Sequence, residues 1–422
     1  MKKKVIRTFS VLGITAVSLI AAGILAFFVL IVAGASPKLQ TIWICSAMRT
    51  MSHKYLATAF FPEDYIAEIM EKNEIDDSGY DSDILFFGKK DPPKKDPHEG
   101  LDAILAIDPS ETVAEEVPET EKAEKTEEIP EETEPAPETE KTPETEAPAP
   151  EIIPETEEIP EPEKIPEPEV IPEPEPELPA YIREGYEKLE EGIYLKEVSG
   201  LTWRGYVMLI EDPLRVKLTD TSRQYSCGEN VMTMTKNAGA VAGINGGGFQ
   251  DGANYDSNGG MPAGLLIEDG NLVYPYVIDE TVYNMIGIND GGGLVLRHCT
   301  AQWALDNNIV SAVSFAPFVV VNGEGLIKNG SGGWGIAPRT AIGQRETGEF
   351  LFLVIDGRQA DWSIGCDLDV LQDVMLAEGA YNAAMLDGGS STAMVYSGEY
   401  VNRPSLGHER WINNCFVVMP GD

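Results

Sequence analysis

Four polar clusters, each at the end of an apolar run, hold the residues of this 422-residue chain best suited to act on a substrate. Asn245 is followed by Gly246, Gly247 and Gly248 and then Phe249. Arg339 and Thr340 open a second apolar run behind Pro338, and Asp356, Gly357 and Arg358 close a third. Asp387, Gly388, Gly389, Ser390, Ser391 and Thr392 follow a fourth, and near the C-terminus stand Asn402, Arg403 and Pro404, then Glu409 and Arg410. Consecutive glycines let backbone N–H groups approach an anion closely, and serine or threonine hydroxyls add donors. The loops beginning at Asn245 and Asp387 therefore have the composition of concave anion sites. Either loop alone also fits an ordinary glycine turn, and an Asp before Gly, as at Asp356 and Asp387, commonly bonds its own backbone. The chain has no G-x-G-x-x-G after a strand, no Walker lysine loop, no H-E-x-x-H and no G-x-S-x-G, which removes nucleotide-dependent and zincin chemistry. His298 and His408 have no nucleophile elbow to serve, so a Ser-His-Asp triad is disfavoured.

The elements that must position these clusters are short. The runs at 205–210, 240–244, 350–355 and 414–419 are apolar and bounded by turn residues, as strands are. Asp269-Gly270 separates 265–267 from 272–273, and 346–348 separates 341–342 from 350–351, so both read as hairpins. One helix is expected over 369–378, with Val370, Leu371, Val374, Met375 and Ala377 on one face and Gly379 as its stop. Strands outnumber helices and hairpins dominate. The expected class is α+β, with a mixed, largely antiparallel sheet and packed helices; a doubly wound parallel sheet is disfavoured.

Taken in order, the clusters resemble the phosphodiester glycosidase family, which releases a sugar joined through its anomeric carbon to phosphate. It includes N-acetylglucosamine-1-phosphodiester alpha-N-acetylglucosaminidase-like enzymes and exopolysaccharide-associated bacterial members. The resemblance spans 195–420: G-x-N-G-G-x-F at 243–249, Pro-Arg-Thr at 338–340, Asp-Gly-Arg at 356–358, Leu-Asp-Gly-Gly-Ser-Ser at 386–391, and Asn-Arg-Pro followed by Glu-Arg at 402–410. Where the family loop often reads Asn-Gly-Gly-Phe-Phe, this chain has a third glycine, Gly248. The departure keeps the loop's glycine character.

The resemblance implies a division of labour. A phosphate monoester is a good leaving group, so the demands are neutralising phosphate and stabilising an oxocarbenium-like centre while water attacks. Asp387 and Asp356 are the expected carboxylates, with Glu409 a third. Arg339, Arg358 and Arg410 are the expected phosphate clamp, since a guanidinium matches phosphate oxygens with paired hydrogen bonds. Asn245, Gly246, Gly247, Thr340, Gly388, Gly389, Ser390 and Ser391 complete the expected binding set, whereas Arg403 beside Pro404 reads as a structural ion-pair partner. No cofactor is expected; a divalent metal bridging aspartates and phosphate stays open, without calcium-loop spacing. The same pocket without a working carboxylate would be a module retaining anionic glycopolymers. A third alternative is an adhesive domain with no convergent pocket at all.

The rest of the chain has a different composition. Of its net charge of -39, residues 111–180 contribute -22, from 26 Glu against 4 Lys, and they hold 16 of the 29 prolines. Such a stretch cannot bury a core; it reads as an extended linker or stalk, or alternatively as an acidic partner-binding segment. The acidic balance leaves no basic stripe for nucleic acid. Residues 8–36 carry no charge and follow Lys2, Lys3, Lys4 and Arg7, which predicts a single transmembrane anchor over 1–36 with a cytoplasmic N-terminus and an extracellular remainder; a cleaved signal peptide ending near Ala33-Gly34-Ala35 is the alternative. Residues 37–110 read as a juxtamembrane segment with a short amphipathic helix over 63–72, and 181–422 as the catalytic domain. Of the five cysteines, four lie in that domain, where three disulfide pairings are open and spacing selects none.

Overall fold

The computed structural model describes residues 15, 18–49, 53–88, 185–251, 257–328 and 333–421. The acidic stretch 111–180 lies outside the described residues, as do 1–14. Between Glu187 and Val418 the described strands form three sheets, of eight, five and five strands, in which every pairing is antiparallel. The single mixed sheet expected from the sequence is thus replaced by three purely antiparallel ones with helices packed on them. Six strands carry or brace the polar clusters: β1 (Arg204–Ile210), β2 (Ala242–Asn245), β3 (Arg339–Arg345), β4 (Phe350–Ile355), β5 (Ala380–Met385) and β6 (Asn414–Val418).

The alternation of side chains along a strand decides where each sheet sits. In β4, Phe350, Phe352 and Val354 enter one core with Met208, Ile244, Leu294 and Phe416. Leu351, Leu353 and Ile355 enter a second with Leu368, Leu371 and Met375 of the helix Leu368–Ala377. All six β4 side chains are essentially solvent-free, so the strand is apolar on both faces. The helix begins with Asp367 capping the Val370 amide and stops at Gly379, whose φ of 81° is left-handed. The hairpin at 266–274 turns through Asp269 (φ 48°) and Gly270 (φ 76°), the conformations a two-residue primed turn requires.

Antiparallel register gathers the polar clusters. Arg339 at the start of β3 lies opposite Ile355 at the end of β4, and Ala341 lies opposite Met385 at the end of β5. In a different sheet, Asn245 at the end of β2 lies opposite Cys415 near the start of β6. The segments that follow β2, β4 and β5, and those that precede β3 and β6, therefore emerge at corresponding strand ends.

The N-terminal residues join this body. Residues 73–88 run over the sheets as a strap: the Asp77 carboxylate accepts from the Phe318 amide at 2.9 Å, and Ser82 exchanges hydrogen bonds with the Leu296 backbone through both its amide and its hydroxyl, each at 2.9 Å. Asn289 donates to the Leu85 carbonyl at 2.8 Å and Phe87 to that of Gly291 at 2.8 Å. A Cβ on Gly293 would fall 1.9 Å from the Leu85 carbonyl oxygen, so glycine is what allows the strap to lie this close. The helix Glu63–Lys72 forms with the expected bounds and packs with Pro37–Arg49 around Ile44, Phe61 and Ile66.

The expected membrane anchor over 1–36 falls partly outside the described residues. Helices Ser18–Val32 and Pro37–Arg49 meet at 92°, with the chain turning at Gly34 (φ 71°), and among the described residues no single helix is long and apolar enough to cross a membrane. The bent pair passes that test only when its helices are taken together.

Candidate active site

Asn245 is the hub of the site. Its side chain is solvent-free and bonds three segments: its Nδ2 donates to the Asp387 carbonyl at 2.6 Å, and its Oδ1 accepts from the Thr340 hydroxyl at 2.7 Å and the Ala393 amide at 3.1 Å. The Asp387 amide in turn donates to the Gly246 carbonyl at 3.1 Å, and Gly247 donates to the Asn414 side chain at 2.8 Å. A Cβ on Gly246 would fall 2.2 Å from Asn414 Oδ1, so this glycine permits a close approach of two loops. The expected binding residues Asn245, Gly246, Gly247 and Thr340 are thus brought together, with their own polar groups spent on each other. They fix where Asp387 sits.

Asp387 is half-buried, less enclosed than the solvent-free Asn245. Burial pushes its pKa up to about 6, against the opposing pull of hydrogen bonds from the Ser391 hydroxyl and Gly388 amide and of the Arg410 charge. Desolvation outweighs all three, which leaves a carboxyl able to exchange a proton near neutrality. Gly388, Gly389, Ser390 and Ser391 form a tight turn beneath it.

Two guanidinium groups face this carboxyl. Arg358 has a φ of 62°, a left-handed conformation that costs a residue with a side chain about 1–2 kcal/mol. The strain aims its Nη2 at Gly389, 3.1 Å from where a side chain would begin there, and burial lowers its pKa while the Asp387 charge raises it. Strained backbone held by its surroundings is characteristic of functional positions. Arg410 lies over the Phe249 ring at 4.7 Å and pairs through Nη2 with both oxygens of Asp251, at 2.5 and 2.7 Å.

The remaining expected residues stand differently. Asp356 is 1% exposed and its carboxylate is saturated: it accepts from Trp362 Nε1 at 2.8 Å, Asn402 Nδ2 at 2.9 Å and the Arg403 amide at 3.0 Å. It anchors the 402–403 loop, with both of its oxygens engaged by these donors. Arg339 is equally enclosed. Its guanidinium donates to the carbonyls of Trp334 (3.0 Å), Gly335 (2.6 Å) and Cys366 (3.3 Å), and burial lowers its pKa to about 10. These bonds brace the 334–335 loop. Glu409 turns away from Arg410 toward the helix Val231–Asn237, where the Met232 amide donates to it at 3.4 Å and burial raises it to about 7. The site also draws on Asp251 and Trp362, to which the sequence alone assigns no role, and on Asn402 of the Asn-Arg-Pro motif. Asp251 precedes Gly252 just beyond the glycine loop, which is the one local signal it carries.

The five cysteines are free thiols, four of them buried. Among the described residues no group of three or more His, Cys, Asp and Glu side chains is placed to hold a metal ion. A depression of about 310 Å³ lined by Arg345, Glu346 and Glu378 opens at the far end of β3, six residues or about 20 Å from Arg339, and is separate from this site.

Residues 238–419 match the family model described as phosphodiester glycosidase. The chain is 30% identical over 200 residues to the SPbeta prophage-derived uncharacterized protein YomE of Bacillus subtilis (strain 168), an alignment that takes in 45% of this chain and 29% of that protein's length. The zebrafish N-acetylglucosamine-1-phosphodiester alpha-N-acetylglucosaminidase catalytic domain, in a structure auto-inhibited by pro-peptide, aligns at 24% identity and a TM-score of 0.45, over 54% of this chain and 82% of that one. A putative exported protein of Burkholderia pseudomallei aligns at 18% identity and a TM-score of 0.42, over 52% and 74%.

Proposed function

We infer that the domain hydrolyses the bond between the anomeric carbon of a sugar and a phosphodiester in a glycan outside the cytoplasm. One observation carries the reading: a half-buried carboxyl poised at about 6, Asp387, faces Arg358 and Arg410 across a floor of glycines. The arginines match phosphate oxygens and stabilise the charge that develops on the departing phosphate monoester. Asp387, ionised at neutral pH, takes a proton from attacking water or steadies the oxocarbenium-like centre. Asn245 and Thr340 keep it in place, and Asp356 and Arg339 brace the loops on either side.

The uncharged run 8–36 behind four cationic residues supports a membrane-attached chain with its N-terminus in the cytoplasm and its catalytic domain outside, where a cell-envelope or extracellular glycan is the natural substrate. The test is sugar release from an N-acetylglucosamine 1-phosphodiester in oxygen-18 water by the full chain, beside Asp387→Asn. Release by the parent alone, with the label in the sugar, supports glycosidic C–O cleavage. Label in the phosphate, or equal release by both chains, refutes it. Binding of anionic glycopolymer without turnover would make the domain a retaining module.

A further inference from the structure

We propose that Arg403, stacked on Trp362 beside the active site, forms a second anion subsite that receives the next charged repeat of a phosphodiester-linked polymer, so that the substrate class is a polyanionic glycan instead of an isolated sugar phosphodiester. The proposal rests on the hydrolase reading for its first subsite only. The Arg403 guanidinium lies 3.7 Å from the centre of the Trp362 ring, and Arg204 lies 4.7 Å from the same ring. Arg204 also pairs with the exposed Glu197 at 3.4 Å. Among the described residues no acceptor takes a hydrogen bond from the Arg403 guanidinium, although the chain carries a net charge of -39 and carboxylates are abundant. An arginine held by the ring face keeps its in-plane N–H fork open, and that fork fits two phosphate oxygens.

The support around this pair is more rigid than an incidental surface contact requires. Trp362 Nε1 donates to Asp356 at 2.8 Å, and the same carboxylate accepts from the Arg403 amide at 3.0 Å, so one buried acid sets both the ring and the backbone of the arginine above it. Gln359, the neighbour of Arg358, donates to the carbonyls of Arg403 at 3.1 Å and Pro404 at 3.3 Å. The loop bearing the first guanidinium is therefore fastened to the loop bearing the second. This gives Asp356 a task that fits its saturated carboxylate: it sets the spacing between two phosphate-binding positions. Arg403 is exposed, and the Gln359 bond to its carbonyl sets it close to the loop that bears Arg358.

The experiment compares two substrates on the full chain purified in mild detergent: an N-acetylglucosamine 1-phosphodiester with a neutral methyl aglycone, and a linear oligomer of sugar 1-phosphate repeats. The parent should prefer the oligomer in kcat/KM, and Arg403→Ala should reduce that preference roughly tenfold, the scale of one lost charge-assisted hydrogen bond. Raising the salt concentration should shrink the preference in the parent more than in the variant. A preference that Arg403→Ala leaves intact overturns the proposal, as does equal loss on both substrates. Should the parent turn over neither substrate, the hydrolase reading fails, and calorimetric titration of the oligomer into parent and variant decides the subsite alone: roughly tenfold weaker binding by the variant supports it and equal binding overturns it.

Discussion

Asp387→Asn should make the protein more stable at neutral pH while removing its chemistry. In the folded state the carboxyl titrates near 6 against an ordinary value of 3.8. A raised folded pKa means that the native state holds the proton more tightly than the unfolded chain does. Below pH 4 the group is protonated in both states and contributes nothing; between pH 4 and 6 the unfolded chain releases its proton first and stability falls; above pH 6 the whole penalty is present. A displacement of about two units at about 1.4 kcal/mol each corresponds to about 3 kcal/mol at pH 7. An amide does not titrate and escapes this penalty. The variant should therefore melt above the parent at pH 7 by up to roughly 5–10 °C, with the gap closing by pH 4. Turnover of the parent should fall about tenfold per pH unit below 6, because only the ionised form accepts a proton. Thermal melts and rates measured from pH 4 to 8 check both curves. A melting difference equal at pH 4 and pH 7, or a parent rate that is flat between pH 4 and 6, would refute the assignment of burial as the cause and of Asp387 as the acting group.

Arg358→Gly should relieve a left-handed backbone worth about 1 kcal/mol and hold or raise Tm, while turnover drops at least a hundredfold; a fall in both would mean the side chain serves structure. Glu409→Gln should gain far more stability at pH 8 than at pH 5, because burial raises this carboxyl from 4.5 to about 7 and the penalty builds between those two values. Its kcat should stay within about threefold of the parent, and a collapse of kcat would return Glu409 to the chemistry. A chain lacking residues 37–88 should aggregate on expression or melt well below the parent, since it bares the surface covered by Asp77, Ser82 and Phe87; a soluble, cooperatively melting product would show the strap to be dispensable.

What could be read in the sequence was local. The apolar run 350–355, the Asp269-Gly270 turn and the helix stopped by Gly379 follow from residues adjacent in the chain, and each forms as expected. The division into three sheets depends on which distant strands pair, information that periodicity does not hold. The same limit explains the site. Asp356 and Asp387 both precede glycine, and nothing nearby tells them apart. Trp362, Asn402 and the Arg403 amide saturate the first, whereas Asp387 keeps a half-open carboxyl beside two arginines. Arg339 sits in a family-like motif yet spends its donors on carbonyls of the preceding loop. The strap is separated from its binding surface by the whole acidic stretch, so no window of sequence places them together.

That strap changes what the acidic stretch is mechanically. Residues 73–88 lie on the sheets and the strand Glu187–Glu190 belongs to them, so the covalent path between departs from one folded body and comes back to it. A segment attached at both ends to the same body transmits no tension. Force pulling the N-terminal helices from the sheets would be borne by the strap's hydrogen bonds and by the contact of Arg49 with Trp334, 4.5 Å apart. The entropy of a closed loop also grows only with the logarithm of its length, so doubling the stretch would cost about 0.6 kcal/mol. Removing a single residue between Asp77 and Leu85, by contrast, would break the register by which the strap bonds to Phe318, Leu296 and Asn289.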